Sequence, residues 1–217
     1  MDINFELIIK SFPLLLAGAG ITLEITALSV FFGLVIGCIV GIARLCNIKI
    51  LRCLAAVYVD FLRGTPLLVQ IFIVYFALPH IIGHRVDPFF AAISACSINS
   101  GAYIAEIFRG GLLAIDKGQY EAAQVLGLNK FQTTTRIIMP QMFRIALPAL
   151  SNESVTLVKD TALLYAVAVP ELLHYAQTVV NRDFTIVPFV IAGVIYLVIT
   201  LILTLFFNFL EKRFKFE

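Results

Sequence analysis

Apolar residues come in five long runs separated by short polar intervals, the pattern of membrane-spanning helices rather than of stripes that pack a water-soluble core. The runs extend from Phe12 to Ala43, Cys53 to Leu78, Phe89 to Phe108, Ile145 to Val169 and Ile186 to Leu210. About 20 apolar residues cross a bilayer as a helix, so each run is long enough for one span. The second is interrupted by Arg63-Gly64-Thr65-Pro66, where the proline frees a carbonyl and predicts a bend. In the first, Gly33, Gly37 and Gly41 recur every four residues, a smooth stripe along which another helix can approach closely. Glu24 is the only charge in that run and is expected to face protein. The pattern predicts an all-α, polytopic membrane protein of five transmembrane helices, one domain over residues 1–217.

One long polar interval breaks this pattern, Asp116 to Pro140. Gln119 to Leu126 reads as a short amphipathic helix with Asp116 as its cap, Gln119 closing a capping box, and Gly127 as its stop. Asn129 with Gln132 offers a second start, and Pro140 is expected to end that second helix. Two short helices joined at a glycine make a protruding elbow. On the residues alone, a plain connector is an equal reading.

Composition supports the membrane assignment. The 217 residues are 60% hydrophobic and 14% charged, and the mean hydropathy is +0.97. A formal net charge of +2 gives a nucleic-acid partner no electrostatic support. Cys38, Cys46, Cys53 and Cys96 form no CxxC pair and read as small buried apolar residues. The first apolar run is too long, and lacks the basic leader, for a cleavable signal. His80 and His84 are four apart, but Pro79 and Gly83 between and beside them favour a solvated loop over a metal pair.

Lysine and arginine set the orientation. With the N-terminus outside and the C-terminus inside, Arg44, Lys49, Arg52, Arg63, Arg109, Lys117, Lys130, Arg136, Arg144, Lys212, Arg213 and Lys215 fall on or near the cytoplasmic side. Only Lys10, Arg85 and Arg182 fall outside, and Lys159 sits within the fourth helix. The elbow is then cytoplasmic, and His80 to Pro88 and Pro170 to Arg182 are outer segments.

Polar groups at membrane depth are costly, which makes them candidates for function. In the third run Asn99, Tyr103 and Glu106 share a face, with Ser97 nearby; in the fourth, Glu153, Thr156 and Asp160 share another, next to Asn152. Two such stripes can line one hydrated cavity. Alternatively Glu106 pairs with Arg109, and Lys159 neutralises a neighbouring acid.

Glu121-Ala122-Ala123, Gly127, and then Ile137, Met139 and Pro140 resemble the cytoplasmic signature loop of ABC importer permeases, over twenty residues and with Met standing for the usual Leu. GAGITLEIT, RGTPLLVQ, AYIAEIFRGGLLAIDKGQYEAAQVLG and LVKDTALLYAV resemble the polar amino-acid permeases of the histidine, arginine and glutamine type. Lys159-Asp160-Thr161-Ala162-Leu163 departs from that group's KDTSL at Ala162. The resemblance implies a coupling loop over 116–140 that docks on an ATP-binding subunit through Glu121, Ala122, Ala123 and Gly127. It also implies two ATPase subunits, a second permease copy or a paralogue, an extracytoplasmic amino-acid-binding protein, and a bacterial plasma (inner) membrane. No Walker motif is present, so ATP and Mg belong to the partner, and the chain itself is expected to be no enzyme and to hold no cofactor.

A stand-alone secondary transporter is the alternative, but five helices do not divide into two repeats. A membrane enzyme lacks any HExxH, GxSxG or Cys–His constellation. For the cargo, Glu153 and Asp160 lie about 10 Å apart along a helix, matching an extended basic amino acid with one acid on its α-amine and one on its side chain. Asn99, Ser97 and Tyr103, with Asn152 and Thr156 near the acids, complete the candidate substrate site. Glu153 is the favoured side-chain group, a basic amino acid the favoured cargo, and glutamine or glutamate the alternative.

Overall fold

The structure, a computed structural model, describes residues 5–214; Lys215, one of the charges used for orientation, lies outside them. The described residues are helical almost throughout. Helix α1 is Phe5–Leu45, α2 Lys49–Gly64, α3 Leu67–Ile82, α4 Pro88–Leu113, α5 Lys117–Val125, α6 Lys130–Thr133, α7 Met139–Asp160, α8 Leu172–Asp183 and α9 Val187–Phe214.

Helix α4 is the axis of the fold. Asp87 caps it by accepting from the Phe89 N–H at 2.8 Å, and Pro88 occupies the first turn, where a missing N–H costs nothing. More than half of its residues are buried, and most of those are small, which lets neighbours approach closely. The glycine stripe of α1 packs directly on it. A Cβ on Gly33 would meet Ser100 at 3.2 Å, one on Gly37 would meet Ile104 at 2.5 Å, and one on Gly101 would meet Ile36 at 2.6 Å. The stripe is therefore an intramolecular seam. Glu24, expected to face protein, lies on the exposed side of α1.

The second apolar run forms two helices. Between α2 and α3 the chain turns by 111°. Thr65 and Pro66 are both extended (ψ 148° and 135°), Thr65 because the proline ring clashes with a helical conformation of the residue before it. The freed carbonyls find side chains: Gln70 Nε2 donates to Leu62 O at 2.7 Å and to Thr65 O at 3.1 Å. Asn99 Nδ2 donates to Gln70 Oε1 at 2.9 Å and to Leu62 O at 3.4 Å, tying the break to α4. Replacing Gln70 by leucine takes the Nε2 donor from both carbonyls, leaves Leu62 O only the longer bond from Asn99, and removes the Asn99 acceptor, which is expected to cost about 1–3 kcal/mol and to lower the melting temperature of the purified protein. An unchanged melting temperature would mean that the break is held by packing alone. Above the break α3 runs antiparallel to the first half of α4, with Ile71 in a cluster with Ala92, Ala95 and Cys96. The amphipathic helix α2 sets Val59 and Leu62 against Ala102 and Ala105.

Other boundaries also differ from expectation. Helix α3 passes through Pro79 and His80 to Ile82, where Gly83 (φ 71°) ends it, so His80 is helical rather than in a loop. Among the described residues no group of three His, Cys, Asp or Glu side chains could hold a metal. Cys38 and Cys53, expected to be buried, are exposed, while Cys96 is buried.

Pro140 does not end a helix. Thr134–Ile138 widens into a π-helical turn, and the chain continues through Met139 and Pro140 into α7. A proline near the start of a helix needs no N–H partner, and Gln141 Nε2 bonds the Ile137 carbonyl at 2.9 Å.

At its far end α7 tightens into a 3₁₀ segment, Thr161–Val167, and Ala168 (φ 58°) closes it. Residues 172–182, expected to be an outer connecting segment, form most of α8, whose cap is the fully buried Glu171. Its carboxylate accepts from the Leu173 and His174 N–H groups at 2.8 and 2.7 Å and from the Tyr196 hydroxyl at 2.6 Å. That one side chain fastens α8 to α9, while Thr22 of α1 accepts from Leu172 N at 3.3 Å.

By length and composition α1 and α9 are single candidate spans. The α2–α3 pair and the Lys130–Val167 segment with α8 qualify as bent pairs, the second bent by 50°.

Candidate functional site

The polar face of α4 meets α7 at one point. Ser100 Oγ donates to Glu153 Oε1 at 2.9 Å. Glu153 is half-buried, and among the described residues no cation lies within ion-pair distance of it or of Asp160. Both acids belong to α7, on the same side two turns apart. Lys159 is exposed and, among the described residues, makes no ion pair.

The rest of the predicted set is divided. Asn99 is buried and engaged by the α2–α3 break, as described above. The Ser97 hydroxyl is buried and has no hydrogen-bond partner among the described residues. Asn152 is exposed and turns toward α9, where it lines a groove of about 260 Å³ with Ser151, Val155 and Thr204. Thr156 is exposed as well. Glu153 therefore meets α4 through Ser100, which is not in the predicted stripe, while Asn99 and Asn152 point elsewhere.

Tyr103 and Glu106 belong to a charged cluster. Glu106 accepts from Arg109 Nε and Nη2 at 2.9 and 2.8 Å and from Arg44 Nη1. Arg63 Nη1 stands 3.7 Å from the same carboxylate, and its guanidinium carbon is 5.2 Å from the centre of the Tyr103 ring. The expected Glu106–Arg109 pair is present but is half of the arrangement. Arg44, Arg63 and Gln70 are the residues that the sequence reading overlooked. The local signal was the polar string Arg63-Gly64-Thr65 inside an apolar run, followed at Gln70 by one more polar residue.

At the elbow Asp116 caps α5, its Oδ1 accepting from Gly118 N at 2.6 Å. The predicted capping box does not close there, because Gln119 Oε1 instead accepts from Gln141 Nε2 at 3.1 Å and ties α5 to α7. The box forms one helix later, where Asn129 and Gln132 exchange backbone and side-chain bonds at 2.9 and 3.0 Å. Gly127 stops α5 at φ 73°. Ala123 is buried, whereas Glu121 and Ala122 are exposed. Around them the elbow presents Val125, Leu126 and Phe131 at 87%, 76% and 76% exposure, an apolar patch on an otherwise polar segment.

Residues 11–216 match the family of binding-protein-dependent transport system inner membrane components. The chain is 41% identical to the glutamine transport system permease protein GlnP of Escherichia coli, over 99% of each chain. It is 37% identical to the arginine transport system permease protein ArtQ of Bacillus subtilis, again over 99% of each. A crystal structure of an amino acid ABC transporter with histidines superposes with a TM-score of 0.91 at 34% identity, covering 98% of this chain and all of the other.

Proposed function

Because the chain belongs to the family of binding-protein-dependent transport system inner membrane components, we propose that it is the translocating subunit of an ABC importer for a basic amino acid: arginine, lysine or histidine. In this reading it lies in a bacterial plasma membrane with five spans: α1, α3, α4, α7 with its 3₁₀ extension, and α9. The N-terminus is outside and the C-terminus inside, so that basic residues flank the cytoplasmic ends. Helix α2 crosses α4 without spanning, and α8 lies along the outer face.

The elbow of residues 116–140 then docks on one of two ATPase subunits, which bind ATP and Mg. Glu121, Ala122 and the apolar patch supply the contact surface; Ala123 and Gly127 shape it from within. A second permease, copy or paralogue, and an extracytoplasmic binding protein complete the machine. Substrate passes along the α4–α7 seam, with Glu153 and Asp160 binding its positive groups and Ser97, Asn99, Tyr103, Asn152 and Thr156 lining or supporting the path.

The observation that carries the basic cargo is Glu153, a half-buried carboxylate held by a serine with no cation at ion-pair distance among the described residues. An acid at membrane depth is costly unless something positive meets it. The test is direct binding of radiolabelled arginine, lysine, histidine, glutamine and glutamate to the purified transporter. Basic amino acids are expected to bind about tenfold more tightly than glutamine, the worth of one charge-assisted contact. Tightest binding of glutamine would overturn this and establish the second reading, which the likeness to a glutamine permease favours.

A further inference from the structure

We infer that Arg63 takes the α-carboxylate of the translocated amino acid; this rests on the α4–α7 seam being the translocation site.

Arg63 ends α2 at the break, where the 111° turn aims its guanidinium at α4. Its one ion-pair partner among the described residues is Glu106, which does not need it. That carboxylate already receives two hydrogen bonds from Arg109 and one from Arg44. Three guanidiniums thus surround one acid, and Arg63 stands farthest from it, at 3.7 Å, with 42% of its side chain exposed. A guanidinium has five N–H donors in a planar fork that suits a carboxylate, and the face of the Tyr103 ring, 5.2 Å away, attracts its charge.

The spare cation and the spare anion are held from the same face of α4. Tyr103, under Arg63, and Ser100, bonded to Glu153, are three residues apart on α4 and share a face. Along the helix that is a rise of about 4.5 Å. An α-amino acid carries its ammonium and carboxylate on the same carbon, so a cation and an anion held at α4 positions one helical turn apart fit the part common to every amino acid. With the carboxylate at Arg63 and the α-amine at Glu153, the side chain is directed along α7 toward Asp160. The side-chain role then passes from Glu153, where the sequence placed it, to Asp160.

The experiment measures binding of radiolabelled L-arginine and L-glutamine to the intact purified transporter in nanodiscs, with the corresponding amino-acid amides as competitors. The amides replace the carboxylate by a neutral group. The unaltered protein is expected to prefer each amino acid over its amide by tenfold or more, since a site built for a charged partner rejects the analogue that lacks it; about tenfold is one charge-assisted hydrogen bond. Arg63→Gln should lower amino-acid affinity by about that factor, leave amide affinity unchanged, and so abolish the preference, while Arg63→Lys restores part of it. Normal assembly of Arg63→Gln is expected, because Glu106 keeps Arg44 and Arg109. A preference that survives Arg63→Gln, or equal losses for acid and amide, overturns the assignment. Glu153→Gln separates the two levels. If it weakens binding while Arg63→Gln does not, only the carboxylate assignment fails. If neither change matters, the seam is not the site.

Discussion

Replacing Gly37 by leucine is expected to abolish assembly of the protein, with a large loss of yield in detergent and of melting temperature in whatever survives. A Cβ at this position already meets Ile104 Cγ2 at 2.5 Å, Ile104 Cβ at 2.7 Å and the Gly101 carbonyl at 3.1 Å. Two of these atoms belong to a β-branched side chain and one to backbone, and neither moves without displacing α4. Overpacking a filled core costs about 1–3 kcal/mol per site and sometimes more, and here the strain falls on the most buried helix. Even Gly37→Ala should be clearly destabilising. Gly41→Ala is the control, since its Cβ would stand 3.7 Å from the Ala105 carbonyl, an ordinary contact, and should leave yield unchanged. A Gly37→Leu protein of normal yield and melting temperature would contradict the α1–α4 seam itself.

Charge reversal at Glu121, or valine at Gly127, is expected to separate ATP hydrolysis from uptake. The two changes act through different physics. Glu121 is exposed, and among the described residues nothing pairs with it, so Glu121→Lys leaves the subunit's own stability alone and acts at a partner. Gly127 has open space around it, but its φ of 73° lies where a β-branched residue is strained. The cost of about 1–2 kcal/mol unwinds the stop of α5 and moves the apolar patch of Val125 and Leu126. The assay is uptake and ATPase turnover of the reconstituted transporter, with binding protein and substrate. Uptake should fall by at least an order of magnitude, as loss of about 1.4 kcal/mol or more of docking energy implies, while the melting temperature of the Glu121→Lys subunit is retained. Full substrate-stimulated turnover and full uptake in both variants would remove the elbow as the docking element.

Much of this chain was legible because the bilayer is an undemanding solvent to predict. It asks for long apolar helices with every backbone group bonded internally, and the runs at Phe12–Ala43 and Ile186–Leu210 appear as α1 and α9, each extended by several residues. The elbow was legible for a different reason. Its caps and stops, Asp116, Gly127 and the Asn129–Gln132 box, are local devices whose geometry depends on neighbours three or four residues away.

What the sequence could not decide is where freed polar groups go. Pro66 and Pro140 look alike on paper, each a proline that interrupts a helix. At Pro66 the chain turns by 111°, because Gln70 and Asn99 are there to bond the exposed carbonyls. At Pro140 it runs straight on, because a π-turn and Gln141 absorb the missing donor. The same holds for Asn99, Ser100 and Arg63. Helical spacing placed Asn99 on one face with Tyr103 and Glu106, but only the packing of α2, α4 and α7 assigned Asn99 to the break, Ser100 to Glu153, and Arg63 to the Tyr103 ring. Periodicity determines which residues share a face. Which of them meet depends on side chains reaching across from helices distant in sequence, and that is settled only when those helices pack.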